Sequence, residues 1–222
     1  MTYKNILENS KEEYKNILID QCLDIFLIKG IDIISMNQLA KELGVGVASL
    51  YRYFKSKNNL VILTGIKLWQ RIEFIFEGVF ETETYRSLTG YQQLQQLMKV
   101  NIVLFEGHPS YLKFISEFDN VMLKNKVTPK QLSDYEKSIF SVGKEVYNAY
   151  QKGLKDQTVN EIENFDEFYR TCSLALQALS QKLLASKEIL ESDKKYNKNN
   201  EIQILIDLVL DRLRGKNNEE SK

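Results

Sequence analysis

Apolar residues recur every three or four positions along most of this chain, the spacing that places them on one face of an α-helix. The first such series includes Tyr14 and predicts a helix over about residues 11–29 that ends at Gly30. Two more helices are predicted within residues 35–57, and others over about 58–80, 91–106, 109–123, 128–152, 165–183 and 201–214. No stretch alternates with the period of two that marks a strand, so we predict an all-α chain of about nine helices.

Polar segments interrupt this pattern. Residues 81–90, ETETYRSLTG, contain no apolar series and predict a loop, and Gly153 is the predicted end of the helix before it. Charged and amide side chains fill residues 187–200, which predicts a mobile linker. The tail over residues 215–222 is predicted to be disordered.

Residues 35–57, SMNQLAKELGVGVASLYRYFKSK, contain two short helical patterns joined by a glycine. The hydroxyl of Ser35 can cap the first helix, and Gly44 suits the left-handed conformation that ends it. A second helix is expected from Val47, with polar and basic residues between its apolar ones. Two helices joined by a short glycine-containing turn are typical of a helix-turn-helix, whose second helix enters the major groove of DNA.

The charges favour a local DNA-binding surface. The chain has 30 basic and 30 acidic residues, so its formal net charge is zero and no overall field attracts it to nucleic acid. Within residues 35–57, however, four basic residues stand against a single acid, Glu42. Any affinity for DNA is therefore expected to come from this window.

Residues 18–60 resemble the DNA-binding domain of the TetR family of transcriptional regulators. The segment LIDQCLDIFLIKG (18–30) is similar to the family's first helix, and SMNQLAKELGVGVASLYRYFKSKNNL (35–60) is similar to its helix-turn-helix. A weaker similarity links GLKDQTV (153–159) to a family segment that precedes its eighth helix. The resemblance implies a homodimer with a DNA-binding domain over residues 1–57 and a ligand-binding and dimerisation domain over 58–214. It also implies repression that a small molecule relieves.

The start of the second motif helix departs from the family pattern. Gly46 stands where the family usually has a Ser or Thr that caps this helix, so a side-chain cap is missing. Val47 occupies a position that is often Lys or Gln in the family, and Ala48 one that is often Gly or Pro. Direct hydrogen-bond readout of bases from this apolar start is therefore expected to be sparse.

The candidate DNA contacts divide into phosphate and base contacts. The resemblance assigns phosphates to Tyr51 and Lys57, and Ser35 would orient a helix N-terminus toward a phosphate. Asn37 can pair bidentately with adenine, and the apolar helix start can touch thymine methyl groups, so an A·T-rich palindromic operator is expected. The full set is Ser35, Asn37, Val47, Ala48, Ser49, Tyr51, Arg52, Tyr53, Lys55 and Lys57. Each residue alone could be core or solvated surface, whereas the whole set in this order favours DNA binding.

Most of the aromatic residues lie beyond residue 60 and could line an apolar effector pocket. The candidates, with one amide, are Trp69, Phe74, Asn101, Phe105, Tyr111, Phe114, Phe118, Phe140, Tyr147, Phe168 and Tyr169. An apolar or aromatic small molecule is the expected effector. For each ring taken singly, a place in the core of the helix bundle is the favoured alternative. His108, which precedes Pro109 in a turn, is expected to be a cap or surface residue.

The last two predicted helices carry an apolar seam that the resemblance assigns to a dimer interface. Its candidate residues are Ala175, Leu176, Ala178, Leu179, Leu183, Ile202, Leu205 and Val209. In the family these helices pair with those of the second subunit as a four-helix bundle, and the alanines would permit close approach. Packing within one chain is the alternative. A dimer is expected because two recognition helices must reach major grooves about 34 Å or more apart.

Cysteine and histidine usage argues against metal and disulfide chemistry. Cys22 and Cys172 lie far apart in helical patterns, and with a single histidine they form neither a zinc motif nor a disulfide framework. They are expected to be buried thiols in a reducing cytoplasm. No cofactor is expected. Because no apolar run reaches the roughly 18 residues of a membrane span and the N-terminus lacks a signal core, a cytoplasmic protein with no membrane partner is expected.

These observations favour a ligand-responsive transcription factor, interpreted as a homodimeric repressor that a small molecule releases from its operator. An all-α enzyme is one rival, but the sequence contains no metal-ligand cluster, nucleophile motif or phosphate loop, so no enzymatic activity is expected. A helical ligand-binding or protein-interaction module without sequence-specific DNA binding is the other rival. The apolar start of the recognition helix keeps that alternative open.

Overall fold

The structure, a computed structural model, describes residues 3–185 and 195–218. Within these residues the chain forms ten α-helices followed by a short 3-10 segment, Lys216–Asn218. The helices are α1 (Tyr3–Lys29), α2 (Met36–Glu42), α3 (Val47–Phe54), α4 (Lys57–Phe80), α5 (Glu83–Ser87), α6 (Gly90–Gly107), α7 (Pro109–Lys124), α8 (Pro129–Lys155), α9 (Phe165–Ala185) and α10 (Lys198–Leu213). The all-α prediction is confirmed, and the predicted count of about nine helices is slightly low.

The additional helix, α5, lies in the segment predicted to be a loop. Thr82 caps it, because its hydroxyl accepts a hydrogen bond from the N–H of Tyr85 at 3.1 Å, and the Tyr85 side chain is buried. A helix of five residues is too short to show a hydrophobic period, so the sequence pattern could not reveal it.

Two polar segments contain more structure than predicted. The predicted linker over residues 187–200 lies partly outside the described residues, but α10 already begins at Lys198. Asn197 starts that helix, because its side-chain oxygen accepts hydrogen bonds from two backbone N–H groups of the first turn. In the predicted tail, the N–H of Gly215 donates to the carbonyl of Thr158 at 2.9 Å, and the 3-10 segment follows.

The described residues group into two compact units, unit 1 (Met1–Arg71 and Lys113–Ile139) and unit 2 (Ile72–Leu112 and Phe140–Lys222). This grouping does not follow the boundary expected after residue 57, because the first part of α4 and most of α7 pack with the N-terminal helices. The functional division into a DNA-binding and an effector-binding domain remains a prediction.

Aromatic rings from three parts of the sequence form the core of unit 1. Phe26 of α1 lies 6.5 Å from Phe114 of α7, and Phe118, one turn further along α7, stacks on Tyr135 at 4.2 Å between ring centroids. A Cβ at Gly65 of α4 would come within 2.9 Å of both Phe118 and Tyr135, so this glycine lets the rings approach the helix backbone. Complete burial of one such ring stabilises the fold by roughly 1.5–3 kcal/mol.

In unit 2, α6 crosses α8 at a pair of glycines. A Cβ at Gly90 would lie 2.0 Å from the backbone nitrogen of Gly153, so the two backbones are in direct contact. The prediction that Gly153 ends α8 is wrong, because the helix continues to Lys155 and the glycine serves close approach instead. One turn earlier in α8, Tyr150 stacks on Phe165 at 3.6 Å between ring centroids. In the same unit, α10 packs against α6 and α9.

Candidate nucleic-acid interface

The first helix of the motif, α2, begins with the predicted cap. The hydroxyl of Ser35 accepts the N–H of Gln38 at 3.3 Å, while the Gln38 side chain accepts the N–H of Ser35 at 2.8 Å. This reciprocal capping box satisfies two backbone donors that the helix itself leaves without partners. The sequence prediction of a Ser35 cap is confirmed.

The turn between α2 and α3 also forms as the sequence predicts. Gly44 adopts a positive φ of +65°, a conformation that a residue with a Cβ rarely takes. Leu39 of α2 and Leu50 and Phe54 of α3 are completely buried, and the two helices pack against each other. These apolar contacts fix the orientation of α3 on the domain.

The remaining face of α3 is open to solvent. Val47 is 37% exposed and Tyr51 is 49% exposed, values that are high for apolar or aromatic residues. Of the other candidate DNA contacts, Ser35, Asn37, Ala48, Arg52 and Lys55 are exposed, and Ser49 and Tyr53 are half-buried. The structure therefore places Val47, Ala48, Tyr51, Arg52 and Lys55 side by side along one exposed stripe, which we call the α3 face.

Tyr53 and Tyr14 form a chain of ring contacts next to Arg52, near the C-terminal end of the α3 face. The guanidinium of Arg52 lies 5.4 Å from the ring centroid of Tyr53, within the range of a cation–π interaction. The Tyr53 ring in turn packs at 5.8 Å against Tyr14 of α1. Tyr14 appeared in the sequence only as part of a helical series, and nothing in the sequence indicated that it touches the recognition helix.

Lys57 differs from the other basic candidates. Its ammonium nitrogen donates to the carbonyl of Ile31 at 2.6 Å, and the side chain is half-buried. Burial, the largest influence, lowers the pKa of Lys57, and the nearby Asp32 partly opposes this shift. The ammonium is thus engaged within unit 1, and the phosphate contact assigned to it remains a prediction.

The start of α3 lacks the usual cap, as the sequence indicated. Gly46 has the extended conformation of an N-cap residue but contributes no side-chain hydrogen bond. Within the described part of the chain, the N–H groups of Val47 and Ala48 have no hydrogen-bond partner. The first turn of the recognition helix therefore presents bare backbone donors and small apolar side chains.

The predicted effector residues are divided between the two units. Phe114 and Phe118 are fully buried in the ring cluster of unit 1, where they serve as core, and Trp69 is half-buried in the same unit. The others lie in unit 2, where Phe105 is buried and Tyr111, Phe168 and Tyr169 are half-buried. The side chain of Phe140 lies outside the described residues.

Three further effector candidates are exposed or hydrogen-bonded within their own helix. Phe74 is 74% exposed in unit 2, and its assignment to an effector pocket stays a prediction. Tyr147 is also exposed, and Asn101 donates to the carbonyl of Met98 in its own helix at 2.9 Å. His108 caps the end of α6 through its N–H, 3.0 Å from the Leu104 carbonyl, as expected of a cap residue.

Unit 2 contains an open groove of about 380 Å³ that sequence reasoning missed. It is lined by Phe80, Glu81, Tyr85, Arg86, Gln93, Glu145, Asn148, Ala149 and Lys152, none of which was an effector candidate. Burial, and secondarily the charge of Glu145, raise the pKa of the Tyr85 hydroxyl. Because the lining carries charges of both signs, the groove is more polar than the predicted apolar pocket.

The residues of the predicted dimer seam divide between the interior and the surface of unit 2. Leu176, Leu183, Ile202 and Val209 are buried within their own chain, because α9, α10 and α6 pack together. This burial favours packing within one chain at these four positions, and a dimer contact there stays a prediction. Of the other predicted seam residues, Ala175 and Ala178 are exposed and Leu179 and Leu205 are half-buried. The large apolar side chains that are exposed on these helices are Leu174, Ile204 and Leu208.

The two cysteines, Cys22 and Cys172, are free thiols. Cys22 is fully buried, and this burial raises the pKa of its thiol to about 12, while Cys172 is half-buried. Across residues 3–185 and 195–218, no three His, Cys, Asp or Glu side chains cluster as a metal site would require. No helix of that same part is both long and apolar enough to cross a bilayer.

Comparisons with known sequences identify the region that carries the motif. Residues 18–63 match the sequence model described as bacterial regulatory proteins, tetR family. An HTH-type transcriptional regulator of Staphylococcus aureus (strain bovine RF122 / ET3-1) is 42% identical over 59 residues, which are 26% of this chain. The match covers only 28% of that regulator's length.

Solved structures extend the similarity to most of the chain. A protein from Saccharomonospora viridis, solved in complex with choline, has a TM-score of 0.68 at 16% identity and covers 92% of this chain and 100% of its own. A bacterial regulatory protein in the tetR family from Rhodococcus RHA1 has a TM-score of 0.62 at 9% identity and covers 90% of this chain and 97% of its own. At such low identities these similarities concern the fold alone.

Proposed function

We propose that this chain, whose residues 18–63 match the tetR family, is a DNA-binding transcriptional regulator of that family. The observation that carries the proposal is the exposed α3 face, on a helix that Leu50 and Phe54 anchor to the core. A fixed helix with an exposed polar and basic stripe is suited to the major groove, where a helix reads base edges.

The two ends of the α3 face are suited to different parts of the DNA. Arg52 and Lys55, at its C-terminal end, supply positive charge for phosphates, and Tyr51 can donate its hydroxyl to a phosphate oxygen. Val47 and Ala48, at the N-terminal end, offer methyl groups that fit against thymine. This arrangement supports an operator rich in A·T pairs.

The protein is proposed to act in the cytoplasm as a homodimeric repressor that a small molecule releases from DNA. The exposed apolar residues Leu174, Ile204 and Leu208 of α9 and α10 support dimerisation through these two helices. A related fold that binds choline supports a small-molecule effector, without identifying it. An effector can shift such a protein off DNA only if it binds the released conformation more tightly.

A second candidate is a helical ligand-binding or interaction protein that no longer reads DNA. The apolar, uncapped first turn of α3 favours it, because that turn provides few hydrogen-bonding side chains for base edges. The two candidates differ in whether the protein prefers one DNA sequence over another.

The decisive experiment measures affinity for the DNA upstream of the protein's own gene by fluorescence anisotropy, from 50 to 200 mM salt. We expect preference for this fragment over an unrelated one, and Arg52→Ala or Lys55→Ala should reduce the salt slope by about one unit. Lys137→Ala is the matched control, because Lys137 is an exposed base on α8, outside the α3 face, and pairs with the neighbouring Asp134. Equal affinity for both fragments would support the second candidate instead.

A further inference from the structure

We infer that Glu117, in α7, is a positioning residue for DNA binding although it lies outside the domain that the sequence defines. Glu117 follows its hydrogen-bond partner Ile31 by 86 residues. Ile31 belongs to the turn that joins α1 to α2 and therefore leads directly into the helix-turn-helix. The inference rests on the proposed function, because positioning has meaning only if the motif binds DNA.

The first observation is a hydrogen bond from the turn to α7. The N–H of Ile31 donates to a carboxylate oxygen of Glu117 at 2.7 Å, and the Ile31 side chain is completely buried. The second carboxylate oxygen lies 3.7 Å from the ammonium of Lys113, one turn earlier in α7. A bond between a backbone N–H and an ionised carboxylate is stronger than one between neutral groups.

The second observation lies on the other side of the same residue. The carbonyl of Ile31 accepts the hydrogen bond from Lys57, the first residue of α4, at 2.6 Å. Both backbone groups of Ile31 are therefore held by charged side chains, one from α7 and one from α4. We call this arrangement the Ile31 clamp, consisting of Glu117, Ile31 and Lys57.

The neighbouring residues fit the clamp closely. Gly30 has a φ of +86°, and a Cβ there would lie 3.1 Å and 3.2 Å from the two carboxylate oxygens of Glu117. The glycine thus permits both the left-handed backbone and the approach of the carboxylate. Asp32, on the other side of Ile31, lies 3.5 Å from Lys124, which is also in α7.

Through these contacts α7 helps to fix the position of the turn that leads into the helix-turn-helix. Ile31 lies four residues before Ser35, the cap of α2, and α2 packs against the recognition helix α3. The rings of Phe26 and Phe114 already pack α7 against α1, so the fold does not depend on the clamp alone. What the clamp adds is a directional bond that sets where the α1–α2 turn lies, and hence the orientation of the α3 face.

The test compares Glu117→Ala with Asp119→Ala, which removes the other acid of the same helix and changes the net charge equally. We expect Glu117→Ala to bind the upstream DNA fragment about tenfold more weakly or worse, with an unchanged salt slope because no phosphate contact is lost. Asp119→Ala should bind like the unmodified protein. Glu117→Gln, whose amide oxygen can still accept the Ile31 N–H, should recover part of the affinity.

Amide hydrogen exchange of the full chain reports on the clamp separately from DNA. Exchange at Ile31 should be faster in Glu117→Ala than in the unmodified protein, while amides in the middle of α6 remain unchanged. If Glu117→Ala is unfolded, DNA affinity and amide exchange are measured on Glu117→Gln instead.

Faster exchange at Ile31 with full DNA affinity would overturn the inference, and so would an affinity loss that comes with a smaller salt slope. If the unmodified protein itself ignores DNA sequence, the proposed function fails first, and the exchange data show whether the clamp forms nonetheless.

Discussion

Helices α3 and α6 differ in how the N–H groups of their first turns are bonded. The start of α3 is exposed to solvent, whereas the start of α6 is packed inside unit 2. Every α-helix leaves the N–H groups of its first turn without partners inside the helix. In α6 the protein supplies a partner for each of them. In α3 the first two N–H groups have none within the described residues.

The start of α6 draws its partners from two places in the sequence. Asp156 accepts the N–H of Gly90 at 2.8 Å, and the hydroxyl of Thr158 accepts that of Tyr91 at 3.1 Å. Thr89 accepts the next two N–H groups, those of Gln92 and Gln93, through its hydroxyl and its carbonyl. Buried backbone donors are costly without partners, so the complete set is what allows α6 to begin inside unit 2.

The start of α3 lies at the surface, where water can satisfy the same groups. Gly46 leaves the turn without a cap, at a small cost in helix stability. The helix that is less stable for this reason is the one proposed to enter DNA. The start of α6, in contrast, is part of the packed interior of unit 2. The contrast indicates that hydrogen bonds stabilise the helix start that packs against other segments, whereas the helix start proposed to bind DNA lacks them.

The largest effect is expected from filling the glycine contact at the α6 start. Gly90→Ala would place a Cβ 2.0 Å from the backbone of Gly153, so the helices must separate and unfolding should become easier by about 3 kcal/mol. Denaturant unfolding followed by circular dichroism measures the change. Gly107→Ala is the matched control in the same helix, because a Cβ there would meet nothing within 4 Å. If both variants are equally stable, the glycine contact does not constrain the fold.

A smaller effect, with a characteristic pH dependence, is expected at Asp156. Burial alone would raise its pKa, but hydrogen bonds from Thr158 and from the N–H of Gly90 outweigh burial and hold the pKa below its usual value. Asp156→Ala leaves those donors without an acceptor and should cost about 1–2 kcal/mol at pH 7.

The sign of the pH dependence follows from the lowered pKa. The ionised carboxylate contributes stability above the pKa of the unfolded chain, and that contribution is lost as the pH falls through the folded-state pKa. The stability difference between the two proteins should therefore narrow in acid, in unfolding curves recorded from pH 7 downward. Asp134→Ala, which removes an exposed acid, serves as control. A difference that stays constant with pH would show that the charge of Asp156 plays no part.

The smallest effect is expected from giving α3 the cap it lacks. A serine at position 46 can accept a first-turn N–H, and there is space for its side chain because the nearest atom to a Cβ there is the Ser49 hydroxyl at 3.9 Å. Gly46→Ser should stabilise the protein by a few tenths of a kcal/mol, or about 1 °C in Tm. Calorimetry measures the Tm of Gly46→Ser and of Gly44→Ser. The second variant is the control, because the positive φ at Gly44 should make that substitution destabilising. A lower Tm for Gly46→Ser would mean that the α3 start is already satisfied.

The features that could be predicted from the sequence are the local ones. The Ser35 cap, the left-handed Gly44 and the end of α1 at Gly30 depend on residues within one helical turn, and all three are present. The open α3 face follows from the same local period, because Leu50 and Phe54 define the opposite, buried side.

The features that could not be predicted depend on contacts between distant segments. Lys57 was assigned to phosphate because neighbouring residues matched a motif, but its bond to Ile31 requires knowing how α4 meets the α1–α2 turn. Leu176 and Ile202 looked like a seam because the period shows which residues share a face, without showing whether that face meets the same chain or another. The bond from Ile31 to Glu117 could not be predicted, because a single acid on a helix is usually solvated.

The bond between Gly215 and Thr158 constrains the order in which unit 2 can be completed during synthesis. The N-terminal end of α6 and its acceptors Asp156 and Thr158 are made well before Gly215, which must reach back to the Thr158 carbonyl. On the ribosome this last bond can form only after α10 has emerged, so nascent chains that lack Gly215 should be cut more readily by proteases around Thr158 than the full chain.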